Sequence, residues 1–181
     1  MKIKVGIMGS AGEIESGRRS DFQNRLRDLT RALTSREVVL LTGATTGLIY
    51  EVGKAVRDAG IQHVGISPAS SEAEHTSQYK LPTDACDWLI FTGFGLKGRN
   101  VVLVRSCDIV LFIAGAMGSL NEFTIAHDEG KVIGCLTGTG GVADEADYLI
   151  ERFGKETGAR IFQDSDAVEL VRACIQALKK Q

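Results

Sequence analysis

The sequence predicts an α/β fold: a Rossmann-like, doubly wound parallel sheet of about seven strands in a three-layer α/β/α arrangement. Two observations lead there. Short apolar runs alternate with amphipathic, helix-period stretches from one end of the chain to the other. Those apolar runs lack a clean in-and-out alternation, which is the pattern of strands covered on both faces. The 181 residues are enough for one core, so residues 1–181 are expected to form a single nucleotide-binding domain.

The elements follow in order. Ile3–Met8 reads as the first strand. Ser20 can cap a helix in which Phe22, Leu26, Leu29 and Leu33 share one stripe. Val38–Leu41 is the second strand, and a helix from near Leu48 to Asp58 ends at Gly60. His63–Ile66 is the third strand. Ser67 to Asp87 is polar, holds Pro68 and Pro82, and has little periodicity, so it reads as a long loop of the kind that often carries function. Trp88–Phe91 is the fourth strand, with the only tryptophan expected in the core. A helix holding Val101, Val102 and Val104 ends near Ser106, ahead of the fifth strand, Ile109–Ile113. The small-residue turn Gly115–Ser119 then leads to a helix expected to begin at Leu120 and to stop at Gly130. Val132–Leu136 is the sixth strand and Thr137–Gly141 a flexible turn. Asp144–Glu156 reads as helix, Arg160–Phe162 as the last strand, and Asp166 onward as a final helix that frays at Lys179–Gln181.

Composition narrows the function classes. Hydrophobic residues at 44% and charged residues at 24% are ordinary for a globular protein. A net charge of −2 gives no electrostatic footprint for nucleic acid or an acidic membrane, so neither is an expected partner. No signal-like segment and no membrane-length apolar run stands out, and a cytoplasmic location is the expectation. The four cysteines form no C-x-x-C pair and read as buried thiols. The three histidines show no ligand spacing, so no metal is expected, and His127 reads as a helix-face residue.

Four glycine-containing turns follow strands: Gly9–Gly12, Gly43–Gly47, Gly115–Ser119 and Gly138–Gly141. In an open parallel sheet, ligands sit beyond the carboxyl ends of the strands, where the strand order reverses. Turns that lead into helices aim free N–H groups and a positive helix end at that place, which suits a phosphate. The candidate binding residues are Gly9, Ser10, Gly43, Thr45, Thr46, Gly47, Asn100, Gly115, Ala116, Met117, Gly118 and Ser119. Arg99 and Glu122 are the candidate chemical pair. Each has a plainer alternative. Glu122 in a first helical turn would favour the dipole, and Arg99 could form a structural ion pair. Asn100 could bond its own loop or a ribose, and Ser119 could cap the helix or bind phosphate. Asp108 reads as a structural residue at a strand start. The dinucleotide fingerprint is missing, because the first turn reads GSAGEIESG and no acid ends the second strand. The P-loop ending Gly-Lys-Ser/Thr is missing as well, and nothing marks a Schiff-base lysine. No cofactor is expected.

The stretch from Arg99 to Glu122, with Asp108, Gly115, Gly118 and Ser119 between, resembles the Lonely Guy (LOG) family and its relatives in the SLOG superfamily, formerly labelled "possible lysine decarboxylase". That family carries an arginine, then an Ala-Asp-apolar strand, then Pro-Gly-Gly-x-Gly-Thr-x-x-Glu. Thr42–Gly47 resembles its earlier glycine-rich loop, so the likeness covers most of the chain. Ala114, Ala116 and Ser119 stand where the pattern has proline, the second glycine and threonine. The Gly98-Arg99-Asn100 form of the arginine motif resembles a bacterial branch close to molybdenum-cofactor carrier proteins. The resemblance implies hydrolysis of the N-glycosidic bond of a nucleoside 5′-monophosphate, giving base and ribose 5-phosphate, with Arg99 and Glu122 as the catalytic pair and no metal. It implies a homodimer or higher homo-oligomer. Its alternatives are a non-enzymatic carrier of a pterin phosphate and a nucleotide sensor.

Overall fold

A computed structural model of the chain describes residues 1–12 and 19–179. Seven strands form one sheet: β1 (Ile3–Gly9), β2 (Val38–Thr42), β3 (His63–Ser67), β4 (Trp88–Phe91), β5 (Ile109–Ile113), β6 (Val132–Leu136) and β7 (Arg160–Asp164). Every neighbouring pair is parallel. The order is β4-β3-β2-β1-β5-β6-β7. The chain therefore builds outward from β1 on one side, then crosses back to build outward on the other. The reversal lies between β1 and β5, whose ends are level, with Gly9 opposite Ile113.

The side-chain period of two explains the layers. In β5, Ile109, Leu111 and Ile113 enter one core, and Val110 and Phe112 enter the other. The first core is closed by α1 (Arg19–Thr34), α2 (Leu48–Asp58) and α7 (Ala167–Leu178), through stripes such as Phe22, Leu26, Leu29 and Leu33. The second is closed by α4 (Gly95–Arg105), α5 (Met117–Asp128) and α6 (Ala146–Phe153). There Phe112 meets Phe123 edge-to-face at 5.4 Å. The remaining helix, α3 (Glu72–Ser77), is short.

Several expectations need correction. The stretch Ser67–Asp87 contains α3, whose start is capped by the Ser71 hydroxyl accepting from Glu74 N–H. Ser20 lies inside α1, and the residues just before that helix are outside the described set. The helix expected from Asp144 begins at Ala146, after a 3-10 turn at Gly141–Ala143. Of the tail Lys179–Gln181, only Lys179 is described. Trp88 is 54% exposed rather than buried, because β4 is an edge strand and Trp88 and Ile90 project from its uncovered face. The correction that matters most for the site is α5. It begins at Met117, three residues before Leu120, because Ala116 in extended conformation serves as its N-cap with no side-chain bond. Among the described residues no helix is long and apolar enough to cross a membrane.

Candidate functional site

A cleft of about 230 Å³ opens at the carboxyl ends of β1, β2 and β5, where the strand order reverses. Its lining brings together Gly9, Ser10, Gly43, Thr45, Arg99, Asn100, Ala116, Gly118, Ser119 and Glu122. Four other candidates lie outside the lining. Thr46 donates its hydroxyl to Ala11 O at 3.0 Å, and Gly47 caps α2 beside the same turn, so both tie the second loop to the first. Met117 is 74% exposed, and Gly115 turns its carbonyl to Val142 N–H at 3.0 Å.

The candidate anion cradle is the start of α5. Leu120 N–H is the first to donate along the helix, to Ala116 O. The N–H groups of Met117, Gly118 and Ser119 are left without a helical acceptor. The Ser119 side chain is not free for a ligand: it is buried, and its hydroxyl donates to Gly9 O at 3.1 Å. This pins α5 to β1 and leaves only the backbone of Ser119 to the cleft. Ala116 has φ −117°, ordinary for any L-residue, and its methyl lines the cleft.

The fourth glycine turn supports the cradle from behind. Val142 and Ala143 N–H donate to Gly115 O and Ala114 O, and Thr139 Oγ1 accepts from Ala114 N–H at 2.8 Å. A Cβ on Gly141 would stand 2.0 Å from Gly115 O, so only glycine permits this contact. Ala114 itself sits at φ +54°, in the left-handed region. Proline, which the LOG pattern has here, cannot adopt that angle.

Arg99 and Glu122 face each other deep in the cleft, 6% and 7% exposed, with Arg99 Nη1 3.7 Å from Glu122 Oε1. That distance is an ion pair without a hydrogen bond. Arg99 Nε is buried and unpartnered, and among the described residues the guanidinium makes no hydrogen bond. It lies directly on Gly43, where any Cβ would be 1.7 Å from Nη1. Burial lowers the Arg99 pKa below its usual range, with the Glu122 charge opposing. Burial pushes the Glu122 carboxyl up to about 7, against the pull of Arg99 and Lys97. Because α5 starts early, Glu122 belongs to its second turn, and the helix-end explanation of its placement does not apply.

Asn100 is buried beside the pair. Its amide donates to Asn121 Oδ1 at 2.9 Å in one orientation. Turned over, it donates to Leu96 O and Glu122 Oε1, both at 3.0 Å. Asp108 is structural, as read: its Oδ2 accepts from Lys4 N–H and Lys4 Nζ at the far end of β1. The reading missed Lys97, Leu96, Ile49 and Ala11, all of which line the cleft. Lys97, in the first turn of α4, brings a second cation to the cleft mouth, and a spacing of two residues from Arg99 on a helix gives no sequence signal for it. All four cysteines are buried and free, and among the described residues no cluster of His, Cys, Asp and Glu is placed to hold a metal ion.

The SLOG cluster4 family matches residues 2–171. An uncharacterized protein of Archaeoglobus fulgidus is 28% identical over 178 residues, which is 98% of each chain. Among solved structures, the molybdenum cofactor carrier protein of Chlamydomonas reinhardtii superposes with a TM-score of 0.74 at 20% identity over 100% of both chains. The molybdenum cofactor binding protein of Rippkaea orientalis gives 0.72 at 24%, over 99% of this chain and 97% of that one. DNA processing protein A of Helicobacter pylori, described with a single-stranded DNA binding mode, gives 0.59 at 17%, over 98% and 80%. At these identities the three solved structures share the fold with this chain.

Proposed function

The chain belongs to the SLOG cluster4 family, and from that premise we propose that it binds a small phosphate-bearing molecule, a pterin phosphate or a nucleotide, as a carrier or binding protein. The observation that carries this reading is Arg99: a buried cation with no hydrogen bond, facing a cleft whose rim is the uncapped start of α5. Five N–H donors on a planar guanidinium suit a phosphate oxygen pair, and the N–H groups of Gly118 and Ser119 suit the remaining oxygen. Lys97 adds charge at the mouth, and Ile49 and Leu96 offer an apolar wall for a ring. The cleft is smaller than the range common for whole drug-sized ligands, so it fits the phosphate end while the rest of the molecule reaches outward. The molybdenum-cofactor names of two structural neighbours support a carrier role.

A second reading rests on a specific observation: Glu122, with a pKa near 7, is poised to act as acid or base beside a guanidinium. In the N-glycosidic hydrolysis that the LOG resemblance implies, the carboxylate would steady positive charge developing on ribose, or activate water. Arg99 would steady the departing base. Calorimetry with nucleoside 5′-monophosphates and a pterin phosphate, run beside an assay for free base, separates the readings. Binding with no base released supports the carrier. Base release abolished by Glu122→Gln establishes the hydrolase, and no binding to any of these ligands rejects both.

We also propose a homo-oligomer with neither nucleic acid nor membrane as partner. Phe94 at the cap of α4, Leu96 and Val101 on α4 and Met117 at the start of α5 are exposed apolar side chains that a second subunit would cover. Sedimentation would show a dimer or larger; a monomer at micromolar concentration would remove this part. Single-stranded DNA retained in a mobility-shift assay at physiological salt would overturn the exclusion of nucleic acid.

A further inference from the structure

Arg99 is shared rather than paired. Its Nη1 is 3.7 Å from Glu122, too far for a hydrogen bond, its Nε has no partner among the described residues, and its Nη1 end sits against Gly43. Gly118 and Ser119 lie four and three residues before Glu122 on α5, and all three line one cleft, so an anion on the N–H groups of the first two comes to rest near the Glu122 carboxyl. Two negative groups and one buried cation cannot all be satisfied there while both anions keep their charge. We propose that the phosphate ligand takes Arg99 from Glu122, and that Glu122 binds a proton from solvent as the ligand enters, so that affinity for the phosphate ester is set by pH through this one carboxyl. The proposal rests on the phosphate-binding reading of the cleft and adds its regulation.

The chemistry is one proton transfer. A buffer molecule loses H⁺, a Glu122 carboxylate oxygen gains it, and the resulting O–H can donate to a phosphate oxygen in place of the repulsion it replaces. The surroundings make this exchange cheap. Burial already pushes Glu122 up to about 7, so the carboxylate takes up a proton readily near neutral pH. Among the described residues, few groups act on Glu122. α4 contributes Arg99 and Lys97, and the Cys107 thiol ahead of β5 feels its charge. At its cleft end β1 presents Met8 and Gly9, β6 has the Cys135 thiol as its one titratable side chain, and the 3-10 turn Gly141–Ala143 has none. Asn121 alongside is neutral, and Asn100, also neutral, can donate to Glu122 Oε1 at 3.0 Å, a bond that favours the charged form. No other acid among these elements can substitute for Glu122 as the proton acceptor.

The test is calorimetry of a nucleoside 5′-sulfate, a 5′-monophosphate and a pterin phosphate, in buffers of different ionisation enthalpy from pH 6 to 9. The sulfate does not titrate in this range, so any proton taken up belongs to the protein. The expected result is uptake of about half a proton at pH 7, rising toward one by pH 8, with affinity falling about tenfold per pH unit above 7 and flat below it. Glu122→Gln should bind with no uptake and a flat profile. Carbon-13 NMR of the Glu122 carboxyl in the wild type reads the same coupling without a substitution, as an upward displacement of its titration when ligand is present. Binding without proton uptake, or equal uptake in Glu122→Gln, overturns the proposal while leaving the phosphate-binding reading intact. No binding of any of the three ligands overturns both.

Discussion

Gly43 and Arg99 form one unit, although 56 residues of sequence separate them. The guanidinium occupies the space where a Cβ would be, so Gly43→Ala must push Arg99 out of the cleft floor. The expected outcome is a loss of phosphate-ligand affinity of at least about tenfold, similar to that of Arg99→Ala, since a charge-assisted hydrogen bond contributes roughly 1.5–3 kcal/mol. Titration of both variants beside the wild type checks it, and an unchanged affinity in Gly43→Ala would separate the two residues. Two buried titratable groups give opposite pH slopes to stability. Glu122 is raised from 4.5 to about 7 in the folded chain, so the fold binds more protons than the unfolded chain between those values, and stability declines as pH rises through that window. Glu122→Gln should flatten that decline in denaturant melts taken from pH 4.5 to 7; an unaltered slope would contradict the buried, neutral-leaning carboxyl. His63 is lowered from 6.5 by burial, with Nδ1 on Ala85 O and Nε2 on the Thr42 hydroxyl. Its contribution is complete above 6.5 and is lost as pH falls through its lower folded value, so His63→Gln should reduce acid sensitivity. The chemical identity of Arg99, Asn100, Gly43, Gly118 and Glu122 was legible in the sequence. The contact between Gly43 and Arg99 was not, because a residue pattern does not say which glycine an arginine will lie on.

At the scale of elements, the loop after β5 shows where the sequence reading went astray. Gly115–Ser119 reads as a turn because it is small and flexible, and its one capping residue, Ser119, points to a start at Leu120. The helix nevertheless starts at Met117, capped by the backbone of Ala116 alone, and tertiary support makes up for the missing side chain. That support is the Gly138–Gly141 turn, which reads as a flexible turn and braces the third glycine turn through Thr139 and the adjoining Val142. Trp88 was misplaced because a strand's hydrophobicity does not reveal whether it ends at a sheet edge. Ala114→Pro, which restores the proline of the LOG pattern, should destabilise the fold by about 3 kcal/mol or more. It removes the N–H that donates to Thr139 and demands a negative φ at a residue held at +54°. Chemical denaturation would read the loss, and a neutral effect would mean that the turn can be rebuilt in the other hand.

Across the whole molecule, the topology places the chemistry. Alternating strands and helices were legible, as were the parallel sheet and its approximate strand count, because both-face burial leaves apolar runs and amphipathic stripes in the sequence itself. Strand order was not written there. The order β4-β3-β2-β1-β5-β6-β7 sets the reversal between β1 and β5, and that reversal opens the cleft onto three loops while the fourth stays behind it. The proposed phosphate site lies at this reversal, with Arg99 as its buried charge. Comparative calorimetry of phosphorylated and unphosphorylated partners tests this most directly: a nucleoside 5′-monophosphate and a pterin phosphate, each against its dephosphorylated form. Binding of at least one phosphorylated member, at least about tenfold tighter than its dephosphorylated form and lost in Arg99→Ala, is the result expected here. Equal affinity with and without the phosphate, or undiminished binding in Arg99→Ala, would contradict it.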